Sequence, residues 1–408
     1  MLADNNIESL KYELLKILKE NILRYWVKNA VDEEYGGFAG YISSDNKVNK
    51  KASKGIILNT RILWTFSAAA RFLKDRGYGK LADLAYSYLK ENFIDYQYGG
   101  VFWELDYRGK PIIKKKQVYA QAFAIYALAE YYMMDRKTEV LDLAKDIYYL
   151  IEKYSYDTKY QGYIEAFSEN WDDLDDVRLS EKDRNAKKTM NTHLHVLEAY
   201  TNLYRIWPEK QVYKSLKKII DVFIGHFINE HNHLNLFFNE KWELTDNIIS
   251  FGHDIEFSWL FTEAAEVIYD PGHIDQIRNI AVQMADTVIN EGLDPDGGIF
   301  YERNPGTNHL DTDKHWWVQA EGMVGLVNAF QITNNNLYLE KAMELWEFIN
   351  SFIIDHKYGE WFWKVNIRGM PYREVEKAGF WKCPYHNSRT CMEVINRLKG
   401  CPFETAFI

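Results

Sequence analysis

The chain has 408 residues, with 49 Lys and Arg against 59 Asp and Glu, a formal charge of −10. Net acidity, with no basic run longer than Lys114-Lys115-Lys116, excludes a nucleic-acid partner, and the lack of any apolar stretch of about 18 residues excludes a membrane span. A hydrophobic content of 47% with 26% charged residues excludes a disordered chain, and the 16% aromatic content suits sugar stacking as well as a large core.

The polar, acidic N-terminus runs into helical spacing over residues 7–26, which marks a first helix and not a signal peptide. A Gly/aromatic segment follows, Tyr35-Gly36-Gly37-Phe38, and its kind returns along the chain. Tyr98-Gly99-Gly100-Val101-Phe102-Trp103 and Tyr160-Gln161-Gly162-Tyr163 come next. Leu234-Asn235-Leu236-Phe237-Phe238, Asp296-Gly297-Gly298-Ile299-Phe300-Tyr301 and Tyr358-Gly359-Glu360-Trp361-Phe362-Trp363 complete the set. A period of roughly 60 residues marks a repeat architecture. Each interval holds two helical patterns: 58–72 with 80–93, 118–133 with 140–151, 189–206 with 212–228, 255–267 with 274–289, and 316–330 with 339–353. A last helix covers 384–398.

The first helix of each pair is apolar on most faces and its partner carries one stripe, so one is buried and the other covers it. Six buried and six covering helices in alternation predict an all-α fold, an (α/α)6 barrel of about twelve helices, with the Gly/aromatic segments as short β-hairpins at one end. An open superhelix of helical hairpins has the same periodicity. No Pro/Gly/Ser-rich linker interrupts the series, so residues 1–408 read as one catalytic domain. Cys383, Cys391 and Cys401 are odd in number and form no C-x-x-C pair, which fits a reducing cytoplasm.

Polar residues early in the buried helices should converge on a central pocket. The chain supplies Arg61, Tyr119, Asn191 and His195, then His253 and Glu256, then Trp316, Trp317 and Glu321, and finally His386. Asn191 and His195 share a helical face, as do His253 and Glu256, which could orient that imidazole. Each also has a plain structural reading: Arg61 as a buried ion pair, any one histidine as a satisfied core residue, a tryptophan as filler. His193 and His195 lie on different faces and cannot chelate together. His231 and His233 lack a third ligand and read as an exposed loop. No metal-protease, phosphate-loop, dinucleotide or nucleophile-elbow motif is present, so neither metal nor cofactor is expected. Histidine takes and gives protons near neutral pH, and two on opposite faces of a carbon acid suit epimerisation. An arginine would stabilise the enediolate oxygen, and aromatic walls would hold a sugar.

Several long stretches, in order, resemble the N-acylglucosamine 2-epimerase superfamily and, within it, the cellobiose 2-epimerase branch. They are Lys54-Gly55-Ile56-Ile57-Leu58-Asn59-Thr60-Arg61, Lys188-Thr189-Met190-Asn191-Thr192-His193-Leu194-His195, Gly252-His253-Asp254-Ile255-Glu256, Trp316-Trp317-Val318-Gln319-Ala320-Glu321 and Trp381-Lys382-Cys383-Pro384-Tyr385-His386-Asn387. The resemblance implies reversible C2 epimerisation of the reducing-end glucose of β-1,4-linked disaccharides through a cis-enediolate: cellobiose to glucosyl-mannose, lactose to epilactose. It implies His253 and His386 as the acid/base pair, His195 to assist ring opening or hold the sugar, and Arg61 on the C1/C2 oxygens. Asn191, Glu256 and Glu321 would orient groups, Trp316 and Trp381 would stack on the sugars, and Tyr119 would line the pocket. It implies no cofactor, and the chain is expected to act as a monomer on a small-molecule disaccharide. The alternatives are a monosaccharide aldose–ketose isomerase or N-acylglucosamine 2-epimerase on the same barrel, an inverting glycosidase using Asp254, Glu256 and Glu321, and a non-catalytic sugar-binding or protein-binding barrel.

Overall fold

In the computed structural model, which describes residues 2–181, 183–269 and 271–399, the all-apolar and striped segments form two concentric rings of helices. The inner ring comprises α3 (Ile56–Leu73), α5 (Val118–Asp135), α7 (Met190–Ile206), α9 (Phe251–Ile268), α11 (Trp316–Thr333) and α13 (Tyr385–Arg397). The outer ring comprises α1 (Leu2–Lys16) continuing into α2 (Arg24–Asn29), α4 (Arg76–Tyr88), α6 (Thr138–Leu150), α8 (Lys210–Val222), α10 (Ile274–Thr287) and α12 (Asn336–Phe348). Each inner helix packs on the next and α13 packs on α3, where the rings of Tyr385 and Trp64 meet edge to face at 5.1 Å. That closure makes a barrel and excludes the open superhelix.

Local chemistry explains the layering. In α5 the run Val118 to Tyr131 is buried throughout, and its alanines let neighbouring helices approach closely. In α8 only the stripe Val212, Leu216, Ile219 and Ile220 turns inward with Ser215 and Val222, while Lys210, Lys214 and Lys218 are exposed. Burying each large aliphatic side chain of that stripe contributes roughly 1.5–3 kcal/mol. Helix α9 starts four residues ahead of the predicted 255. Gly252 and the polar residues after it hide the apolar period, yet a first turn makes no inward intrahelical N–H bonds and tolerates them. Asp254 there also complements the helix dipole.

The outer helices end differently from the expectation of uninterrupted α-helix. Each passes into a π-helical turn: Ile17–Leu23, Leu89–Phe93, Ile151–Ser155, Phe223–Phe227, Val288–Gly292 and Ile349–Ile353. The first of these joins α1 to α2, and in the other five the wider turn rotates the chain before it enters the Gly/aromatic loop. In that loop an aspartate accepts backbone N–H groups two and three residues on, as Asp95 does from Gln97 and Tyr98. Gly99 then takes φ 77°, and a Cβ there would lie 2.7 Å from Leu150.

The hairpin expectation holds with one addition. Single bridges close the turns, such as Ile94 with Val101, but the ladders tie the strand before an inner helix to the segment after the following outer one. Lys54–Gly55 pairs with Glu104–Leu105, Lys116–Gln117 with Ala166–Phe167, Lys188–Thr189 with Phe237–Phe238, and Lys314–His315 with Lys364–Val365. All lie at the end of the barrel where the inner helices begin.

Candidate active site

The first two turns of the six inner helices point into one space. Arg61 is the sixth residue of α3, Tyr119 the second of α5, and Asn191 and His195 the second and sixth of α7. His253 and Glu256 are third and sixth in α9, Trp316, Trp317 and Glu321 first, second and sixth in α11, and His386 second in α13. Their rings form a continuous wall: Trp381 lies 5.9 Å from Tyr119, Tyr119 4.8 Å from His195, and His195 4.7 Å from Phe123. Phe123 lies 5.6 Å from Tyr385, Tyr385 4.8 Å from His386, and Trp317 contacts both His386 at 6.0 Å and His253 at 4.9 Å. Gly252 makes the last contact possible, because a Cβ there would stand 2.5 Å from Trp317 Cη2.

Trp316, expected to stack on a sugar, is buried against Trp363, with Lys382 over its ring and its ring centre 6.2 Å from that of His386 in an edge-to-face contact. Its neighbour Trp317 holds the place between the two imidazoles. Trp381 packs with Trp103 and Phe380 on the other side. Asn191 and His253 line a cleft roofed by Arg178, Asp183 and Arg184, from a loop whose only sequence signal is the acidic run around Asp172-Asp173. Asn191 Oδ1 is buried without a partner among the described residues.

Arg61 is not the structural ion pair that its apolar surroundings also allowed. Its Nη2 donates to Tyr119 Oη at 2.8 Å, its guanidinium lies 4.4 Å over Phe123, and among the described residues it has no carboxylate partner. A buried guanidinium without an acid is a cation placed to receive an anion. Cys383 lies beside it, buried and reduced, and burial pushes its thiol up. Cys391 is likewise a free buried thiol, and Cys401 falls outside the described residues.

The three histidines have different partners. His195 Nδ1 faces Glu198 Oε2 at 2.9 Å, His253 Nδ1 faces Ser250 Oγ at 2.8 Å, and His386 Nδ1 faces Glu321 Oε1 at 2.6 Å. The expected pairing of Glu256 with His253 is replaced. Glu256 accepts from Arg389 Nη2 at 2.9 Å and stands 4.0 Å from His386. Burial lowers all three imidazoles: His253 to about 3, His386 well below the ordinary value with Arg61 and Arg389 adding to the effect, and His195 less far because Glu198 opposes it. Burial, then the charge of Glu321, raises Glu256 well above the usual carboxylate range. Burial would raise Glu198 too, but Arg389 and His195 outweigh it and hold that carboxyl at about 2. Glu198, Arg389, Tyr385 and Phe123 were not legible as site residues.

Two other readings meet the geometry here. Ligand atoms of Glu256, Glu321 and His386 lie within 4.8 Å of one another, a metal-like cluster, but the Arg389 guanidinium already donates to both carboxylates. The same closeness departs from the ~6.5–9.5 Å that an inverting glycosidase pair needs, and Asp254 turns away to His233 at 2.7 Å. That contact also corrects the reading of His233 as an exposed loop residue; His231 is exposed, whereas His233 is buried in an ion pair. His193 is a core residue that accepts the Tyr163 N–H at 2.8 Å.

Known proteins share this arrangement of chain. The family model described as N-acylglucosamine 2-epimerase (GlcNAc 2-epimerase) matches residues 36–389. A cellobiose 2-epimerase from Bacteroides fragilis is 45% identical, over 95% of this chain and 99% of its own. The structure of a cellobiose 2-epimerase from Bacillus thermoamylovorans B4167 superposes with a TM-score of 0.91 at 40% identity, over 96% of this chain and all of the other. A D-mannose isomerase structure, at 21% identity and a TM-score of 0.83, shares the fold. Fold, site and relatives together define the class as a sugar epimerase, an isomerase built on an (α/α)6 barrel. The chain belongs to the N-acylglucosamine 2-epimerase family. No helix among the described residues is long and apolar enough to cross a membrane.

Proposed function

We propose that this enzyme interconverts the C2 epimers of the reducing-end glucose of β-1,4-linked disaccharides, turning cellobiose into glucosyl-mannose and lactose into epilactose. The observation that carries the reading is the acid-free Arg61 guanidinium facing an aromatic-walled space between His195, His253 and His386. The cellobiose 2-epimerases at 45% and 40% identity support the disaccharide substrate. The buried free thiols of Cys383 and Cys391 fit a reducing cytoplasm.

The reaction runs in four steps. The pyranose opens to the aldehyde, its hemiacetal proton passing to the ring oxygen with His195 assisting. One of His253 and His386 accepts the C2 proton, leaving a cis-enediolate whose oxygens Arg61 holds. The other imidazole, neutral in the free enzyme, takes up a solvent proton as the anion forms beside it and returns that proton to the opposite face of C2. The first imidazole gives its proton back to water, and the ring closes. One proton leaves carbon and one arrives, so no electron donor or acceptor takes part. The six inner-helix N-termini converge at this end, and their dipoles favour the developing negative charge. Trp381 stacks on one sugar ring, with Trp317 and the edge of Trp316 walling the other, and Asn191 Oδ1 is free to accept a hydroxyl.

Proton NMR of cellobiose incubated with the enzyme in D2O tests this directly. A mannose-type anomeric signal with deuterium replacing the C2 proton is expected. Free glucose would point to hydrolysis instead, and an unchanged spectrum with both cellobiose and lactose would move the substrate to mannose or N-acetylglucosamine. His386→Ala is expected to lower kcat at least ~10²-fold while sugar binding survives, which a non-catalytic barrel could not show. Dialysis against EDTA is expected to leave turnover unchanged, because a guanidinium fills the one cluster of metal-like spacing found among the described residues.

A further inference from the structure

The floor of the site holds a cation that this reaction does not consume. Arg389 lies one turn below His386 on α13, 1% exposed, its guanidinium between the rings of Trp259 at 4.7 Å and Tyr385 at 4.3 Å. Its Nη1 donates to Glu198 Oε1, and its Nη2 donates to Glu321 Oε1 at 2.7 Å and Glu256 Oε1 at 2.9 Å. Two of these carboxylates each hold a histidine, Glu198 through Oε2 to His195 Nδ1 and Glu321 through Oε1 to His386 Nδ1. The two imidazoles sit on helices α7 and α13, far apart in sequence, and this one fork joins them.

We infer that Arg389 is a positioning residue common to both histidines, a single guanidinium that keeps the carboxylates of Glu198 and Glu321 anionic and aimed so that His195 and His386 present the same tautomer to the pocket. An anionic carboxylate can only accept, so it takes the Nδ1–H and leaves the Nε2 lone pair toward substrate. A protonated carboxyl would donate to Nδ1 instead and put the ring proton on Nε2, where a base needs its lone pair. Burial already raises Glu256 and Glu321, and Arg389 opposes that rise, so loss of Arg389 forces a further proton onto the crowded carboxyl groups. Lysine is a point charge and cannot span Glu198 and Glu321 as the planar fork does. The consequence for turnover rests on the epimerase reading; the tautomers do not.

The test is the side-chain ¹⁵N spectrum of the substrate-free enzyme labelled at histidine, with His195 and His386 assigned from their loss in H195N and H386N. In the wild type both are expected as Nδ1–H tautomers with bare Nε2; either one found as Nε2–H overturns the inference without any Arg389 variant having to fold. In R389K both histidines are expected to shift toward Nε2–H, with kcat on the substrate the wild type converts falling about 10²-fold and KM changing much less. E198Q, which cuts one arm, is expected to disturb His195 alone. R389K leaving either histidine in its wild-type form, or E198Q disturbing both alike, would show a structural filler instead. These spectra need no turnover, so failure of the wild type to convert cellobiose would count against the proposed reaction and leave the tautomer result standing.

Discussion

A histidine that must act as a base is useful only while neutral, and burial settles that question here. The folded-state values of His253 and His386 lie below the ordinary ~6.5, so both rings stay unprotonated as pH falls through the range where an exposed imidazole charges. The acid limb of kcat/KM is therefore expected below pH ~6.5, and a limb at or above that value would contradict the burial argument. Gly252→Ala makes a second test at this scale: its Cβ would strike Trp317 Cη2 and Val318 Cγ2, and Trp317 walls both imidazoles. Overpacking of this kind costs ~1–3 kcal/mol, and kcat is expected to fall about tenfold or more with the fold intact by circular dichroism. The three histidines, Arg61 and Glu321 were legible because each stands within the first two turns of a buried helix in its repeat. Arg389 and Glu198 were not, since each follows a histidine of its own helix by one turn and resembles an ordinary polar residue until α7 and α13 are brought together.

Elements are held in place by a device that recurs with the repeat. A lysine just before an inner helix pairs with the aspartate that caps the preceding Gly turn: Lys54 with Asp32 at 2.7 Å, Lys116 with Asp95 at 2.6 Å, Lys188 with Asp157 at 2.8 Å. Lys314 with Asp294 repeats it, and Lys377 with Asp355 does so from further upstream of α13. In the fourth repeat Asn229 takes the aspartate position, and His233 with Asp254 pins the start of α9 instead. Each pair links the loop leaving an outer helix to the start of an inner one, and so fixes the height at which a site residue enters the pocket. Lys116 and Asp95 are both almost fully buried, so Asp95→Asn strands an ammonium group and is expected to cost about 3–5 kcal/mol in urea denaturation. Replacing both partners with apolar residues of similar volume is expected to cost far less. A lysine among polar loop residues carries no sign of burial, which is why this pairing escaped the sequence.

For the whole molecule, function depends on closing the ring. α13 supplies His386 and Arg389 and also completes the barrel against α3 and α11. Removing residues 384–408 would uncover Trp64 and the apolar start of α3, and that shortened chain is expected to lose cooperative thermal unfolding along with activity. By itself the sequence determined the number of helices, their alternation between core and cover, and the depth at which polar residues recur. Those follow from local periodicity, which a chain carries whatever its neighbours do. Tertiary structure alone decided that Glu256 serves Arg389 and not His253, that Trp317 stands between the imidazoles, and that a loop from the third repeat roofs the cleft. Those relations join residues on separate helices, and only ring closure sets their distances. The same closure strips water from Arg61 and the histidines, and that desolvation gives them their chemistry.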